Sequence, residues 1–98
     1  MSHRDEAQAT DQLRRALLKF KHAQTFYLSA HRKLKNQPPE AVEVFWDGEG
    51  HRLEAALQLS AKEVVAAFGL FTAVGLVASD GDRHLVTEAK RSLEQDTA

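Results

Sequence analysis

Leu13, Leu17, Phe20, Tyr27 and Leu34 follow one another at three- and four-residue steps or multiples of them, with Gln24 and His31 filling the gaps in the same stripe. That spacing predicts one long amphipathic helix over 5–35, which no Gly or Pro interrupts. Leu18, Phe26 and Leu28 lie off the stripe. The helix is therefore apolar on more than one side, the pattern of a helix that packs against several partners. Thr10 and Asp11 could cap an inner start. Arg32, Lys33 and Lys35 suit the negative end of the helix dipole. Asn36-Gln37-Pro38-Pro39 stops the helix, because residues before proline are pushed out of the helical region. A proline also suits the first turn of a following helix.

Glu40 to Trp46 reads two ways. Val42, Val44 and Trp46 alternate like a strand, while Ala41, Val42, Phe45 and Trp46 share one helical face. Asp47-Gly48-Glu49-Gly50 is a turn signal. Arg52 to Leu59 reads as a short helix with Leu53, Ala56 and Leu57 on one side. Ser60 then stands as an N-cap with Glu63 at the capping-box position. The helix it opens runs from about Ala61 to Val74 and stops at Gly75. Its buried face is Val64, Ala67, Phe68, Phe71 and Val74. Leu76 to Ser79 and Arg83 to Val86 form two strand candidates around the hairpin signal Asp80-Gly81-Asp82. Thr87 caps a last helix, Glu88 to about Glu94. No internal repeat or low-complexity segment interrupts this order.

The stretch Leu59-Ser60-Ala61-Lys62-Glu63-Val64, followed by Gly75-Leu76-Val77, Asp80-Gly81-Asp82-Arg83 and Val86-Thr87-Glu88-Ala89, resembles a winged helix-turn-helix of the MarR or PadR kind over residues 57–90. Lys90 stands where those families usually have glycine. The resemblance implies a mainly α fold with a small β-hairpin wing, preceded by a long amphipathic helix. It divides the chain into a dimerising helix at 1–37, the winged domain at 38–95 and a frayed tail at 96–98. It also tips Glu40–Trp46 toward helix. By the same resemblance the protein is a small homodimeric regulator of transcription that binds double-stranded DNA. Lys62, Arg83, His84 and Arg52 are the candidate DNA contacts, and Leu13, Leu17, Phe20, Tyr27, Leu34 and Leu70 the candidate dimer or partner interface.

The outward face of the third helix departs from that family. Lys62 is its one basic residue, whereas base reading needs several outward polar groups. Val65, Leu70 and Ala73 make the face apolar, and exposed apolar patches mark protein interfaces. The alternative is therefore a protein-protein interaction module, an adaptor, inhibitor or anti-repressor, that uses this helix.

Charge divides the chain. Residues 1–35 carry eight Lys/Arg against three Asp/Glu, and residues 36–98 carry five against eleven, for a net charge of −1. Such a division can mark a part that faces nucleic acid or draw complementary surfaces together. The 98 residues fit one domain of ordinary globular balance, 43% hydrophobic and 28% charged. Without cysteine there is no disulfide or thiolate metal site, which suits a cytoplasm. The polar start is unlike a secretory signal. The longest apolar run, Val64 to Ala78, is short for a bilayer span, so no membrane partner is expected. His3, His22, His31, His51 and His84 lack zinc spacing. No phosphate loop or nucleophile motif is present. Nothing in the residue pattern argues for an enzyme, a metal or a cofactor.

Overall fold

The computed structural model describes residues 3–96 of the chain. Four helices follow in order: α1 (His3–Leu34), α2 (Pro39–Asp47), α3 (Glu49–Ala73) and α4 (Asp80–Asp96). The long first helix is present as its pattern demands. Asp5 and Glu6 occupy its first turn and His31, Arg32 and Lys33 its last, both complementing the helix dipole. Residues 39–47 are helical, with Pro39 at the first position, where a missing N–H leaves no bond unmade.

The winged-helix fold class is corrected here. Among the described residues there is no strand, and so no wing. The segment 80–86 is helical because Ser79 accepts a hydrogen bond from the Asp82 backbone N–H at 3.2 Å, which caps the start of α4. Asp80 and Asp82 then lie in the first turn, where carboxylates favour the helix dipole. Asp-Gly is a hairpin signal only where a strand leads into it, and here a capping serine does. Thr87, expected as a cap, lies inside α4 and donates to the Arg83 carbonyl at 3.0 Å.

The expected break at Leu59-Ser60 is absent as well. Ser60 donates its hydroxyl to the Leu57 carbonyl at 2.8 Å. In that bond it caps nothing, and α3 runs unbroken through it. Its partner in the expected capping box, Glu63, turns to Lys19 of α1 at 3.4 Å. The stop at Gly75 is as expected. Gly75 has φ 86°, and its N–H reaches the Thr72 carbonyl while the Leu76 N–H reaches that of Phe71. These two bonds form a Schellman cap, with Leu76 folding back onto the core. The tail assigned to 96–98 lies, beyond Asp96, outside the described residues.

The molecule is long and narrow, 56 × 22 × 20 Å, because α1 alone spans about 48 Å at 1.5 Å per residue. Lys19 pairs with Glu63 near the middle of both helices. Ala9 shares a hollow with Ala73, and Ala30 one with Leu53. The helices α1 and α3 therefore run antiparallel. Ala9, Ala16, Ala23 and Ala30 recur every seventh residue along α1, facing the α3 side, and Ser60 and Ala67 are buried on α3. Such small side chains let two helices approach closely. The fourth helix covers one side of this pair. The resulting core joins Leu13, Leu17 and Phe20 of α1 to Ala61, Val64 and Phe71 of α3 and to Val86 and Ala89 of α4. One helix among those described, α3, is long and apolar enough to cross a membrane, at a mean hydropathy of 1.2. Its buried side is the core side of this bundle.

At the far end, α2 folds over the α1–α3 pair. Trp46 packs against Tyr27 and His31 of α1, with ring centroids 5.5 and 4.6 Å away, and against Phe45 at 5.2 Å. Gly50 lies buried beneath these rings, and a Cβ added there would collide with both Trp46 and Phe45. Gly69 has open space in the same place. Gly50→Ala is expected to cost about 1–2 kcal/mol in chemical denaturation, since overpacking outweighs the gain in helix propensity. It should also shift the emission of Trp46, the one tryptophan. Gly69→Ala should stabilise by roughly 0.5–1 kcal/mol and leave the emission unchanged.

Candidate docking groove

The second side of the α1–α3 pair is open. A groove of about 560 Å³ runs between the two helices there, lined by Ala16 and Leu18 of α1 and by Ala66, Ala67 and Leu70 of α3. Gln12, Arg15, Lys19, His22 and Glu63 complete the lining. Smaller hollows continue it in both directions. One adds Ala23, Ala56 and Leu59 beyond Lys19 and Glu63. The other adds Ala9, Ala73 and Val74 beyond Gln12 and Leu70. Further along, Phe26, Ala30, Ala41, Phe45 and Leu53 line another hollow under α2, of about 500 Å³.

The helical repeat explains this face. On α3, Leu59, Ala66 and Ala73 stand seven residues apart, with Leu70 between the last two, about 90–150° around the helix from the centre of the buried stripe of Ser60, Val64, Ala67 and Phe71. Leu18, Phe26, Leu59 and Leu70 are 56, 65, 61 and 55% exposed. Leu18 and Leu70 line the groove and Leu59 the hollow that continues it, while Phe26 lies at the separate hollow under α2, and contiguous apolar exposure of this kind marks an interface.

The electrostatics differ between the walls. The α1 wall carries Arg15, Lys19 and His22, and the α3 wall carries one carboxylate, Glu63. Glu63 sits 3.4 Å from the Lys19 Nζ, and Arg15 Nε sits 3.0 Å from Asp11 one turn back. All of these groups are at least partly exposed, so the pairs are weak in water and leave the cations free to meet other partners. From Gln12 to Lys35, α1 and the residue after it carry seven Lys/Arg and no Asp/Glu.

The residues expected to contact DNA do not share one surface. Arg52 and Lys62 lie on α3 about 15 Å apart along its axis. Arg83 and His84 lie on α4, near the opposite end of α3 from Arg52. Arg83 is ion-paired with Asp80 and His84 faces Glu88 at 3.3 Å. Of the expected interface residues, Leu13, Leu17 and Phe20 are buried inside this chain. Tyr27 and Leu34 are half-buried at the α2 end. Leu70 is exposed and lines the groove. Its neighbours Leu18, Leu59 and Ala66, and the basic wall opposite, were not among the expected site residues. Leu18 and Phe26 carried a signal all the same, since both fall off the main stripe of α1.

Among the described residues no three of His, Cys, Asp and Glu converge as a metal site, and no buried side-chain nitrogen or oxygen lacks a partner. What the groove offers is shape and apolar surface, rimmed by the ion pairs Arg15–Asp11 and Lys19–Glu63. Among the described residues, the aromatic cluster holds a shifted titration. Burial, and second the Glu54 carboxylate, raise the Tyr27 phenol above its usual 10.0. The folded state thus holds this proton to a higher pH than the unfolded chain does. Stability from the neutral phenol is present below pH 10.0 and is lost as pH rises through the folded value. Urea midpoints of the wild type and Tyr27→Phe should keep a constant difference near neutral pH. Above about pH 10 the wild type should lose ground to the variant. An unchanged difference across that window would contradict the assignment.

No family model, curated protein or solved structure matches this chain.

Proposed function

We propose that this protein is a helical interaction module that holds a helix of a partner protein in the groove between α1 and α3. The observation that carries this reading is the open apolar trough flanked by Leu18 and Leu70 and floored by Ala16, Ala66 and Ala67. A helix laid in such a groove presents apolar anchors at i, i+3, i+4 and i+7. It would close the uncovered side of the α1–α3 pair much as α4 closes the other, completing a four-helix arrangement. The cysteine-free chain suits work in the cytoplasm. A second reading, contact with duplex DNA, keeps one specific support in the basic run of α1. It no longer draws on a wing or on a recognition helix.

A photo-crosslinking side chain at position 66, in the groove, is expected to give a discrete adduct in the producing cell, and one at position 91, on α4, is not. Leu70→Glu should abolish the adduct while changing folding stability by no more than about 0.5 kcal/mol, the usual limit for a surface position. An adduct that persists when the Leu70→Glu variant is folded would overturn the groove as the working face.

A further inference from the structure

We infer that the outward side of α1 rests on the surface of an anionic bilayer, a contact separate from the groove. Arg14, Leu18, Lys21, Thr25, Leu28 and Arg32 follow one another at alternating steps of four and three residues. Such steps keep them in one stripe, about 27 Å long and about a quarter-turn around the helix from Leu13, Leu17 and Phe20. Lys35 continues the stripe just past the helix end. All of these side chains are exposed, Leu18 by 56% and Leu28 by 51%. Cations and leucines are thus interleaved on one line that holds no carboxylate.

The charges of this stripe are unmatched within the chain. Arg14, Lys21, Arg32 and Lys35 form no ion pair among the described residues, unlike Arg15 and Lys19, which Asp11 and Glu63 meet. The carboxylates that α4 brings to this side are engaged elsewhere. Asp82 shares a hollow with Arg14 and Lys21, but it stands in the first turn of α4 and complements that helix dipole. Glu88 accepts a hydrogen bond from Gln24 at 3.1 Å and faces His84 at 3.3 Å. Val77, 84% exposed on the connection after α3, lines the same hollow as Leu18, Arg14 and Lys21.

A cationic row with leucines set into it fits a surface that is charged at its boundary and apolar just beneath. At an anionic bilayer the Arg and Lys side chains meet headgroups, while Leu18, Leu28 and Val77 enter the edge of the acyl layer. Duplex DNA offers the charge without the apolar layer, and a leucine gains nothing beside a hydrated phosphate. Its backbone also winds away from a straight row, whereas a bilayer meets the whole row at once. The chain lies on the bilayer and does not cross it, because the apolar stripe of α1 stays in the bundle core.

The test is co-sedimentation of the full chain with vesicles of phosphatidylcholine, alone or with about one-third phosphatidylserine. A random-sequence DNA duplex serves as the competing probe. At low salt the anionic vesicles are expected to bind about tenfold more tightly than the neutral ones or better, and the difference should shrink as salt rises. Arg14→Gln combined with Lys21→Gln should weaken that binding about twentyfold, the scale of two cations withdrawn from such a surface. Leu28→Gln, on the stripe and away from the groove, should weaken it severalfold, and Leu70→Glu in the groove should leave it unchanged. Circular dichroism checks that each variant is folded. Equal binding to both vesicles, binding to neither, or binding that survives the double substitution would overturn the inference. So would loss through Leu70→Glu, which would move the contact to the groove. Tighter binding of DNA that falls with the double substitution and ignores Leu28→Gln would assign the stripe to a nucleic-acid backbone and overturn it as well.

Discussion

Ala9, Ala16, Ala23 and Ala30 keep one edge of α1 narrow along its length, and the close antiparallel packing of that edge on α3 is the contact every other feature depends on. Side chains this small contribute little apolar area each. Their value lies in letting the two backbones approach, so that larger neighbours on either side meet across the pair. On one side those neighbours are Leu13, Leu17, Phe20, Val64 and Phe71, and α4 closes over them with Val86 and Ala89. On the other side the neighbours are Leu18, Leu59 and Leu70, and no element of the described chain covers them. The core and the groove are thus two faces of one helix pair, separated by its alanine edge.

The two ends of the pair are held differently. At the α4 end the Schellman turn at Gly75 and the Ser79 cap fix a short connection, and that connection fixes where α4 can lie. At the α2 end a short helix without buried residues of its own is held by the tilted packing of Trp46 against Tyr27 and His31 over Gly50. Aromatic pairs hold such a joint with few contacts, because each ring brings a large area and a preferred geometry. The uncovered groove runs from one end to the other between these two fastenings.

Much of the helical skeleton was legible from periodicity and punctuation. The 3–4 spacing and absence of Gly and Pro marked α1, Pro38-Pro39 marked the bend, and Gly75 marked the end of α3. The errors came where a local signal has two meanings. Ser60 with Glu63 has the form of a capping box, but their side chains bond to Leu57 and Lys19, choices made by tertiary packing. Ser79-Asp80-Gly81-Asp82 reads as a hairpin or as a helix start, and the serine's bond to the Asp82 N–H decides for the helix. The groove was half visible. Leu70 and the apolar outward side of α3 stood out, as did the off-stripe Leu18 and Phe26. That they face each other could not be read locally, because it depends on the antiparallel register of α1 on α3.

A partner's helix is, on this view, the element that completes the uncovered face, drawn by the apolar surface of the groove. The most direct measurement is a methyl-resolved NMR titration of the folded protein with an amphipathic helical peptide that carries a Leu/Ala stripe. The expected result is a set of shifts concentrated on the methyls of Leu18, Leu59, Ala66 and Leu70, with Leu17, Val86 and Ala89 of the α4-side core nearly still. Shifts centred on α4, or a response spread evenly over the core, would contradict it.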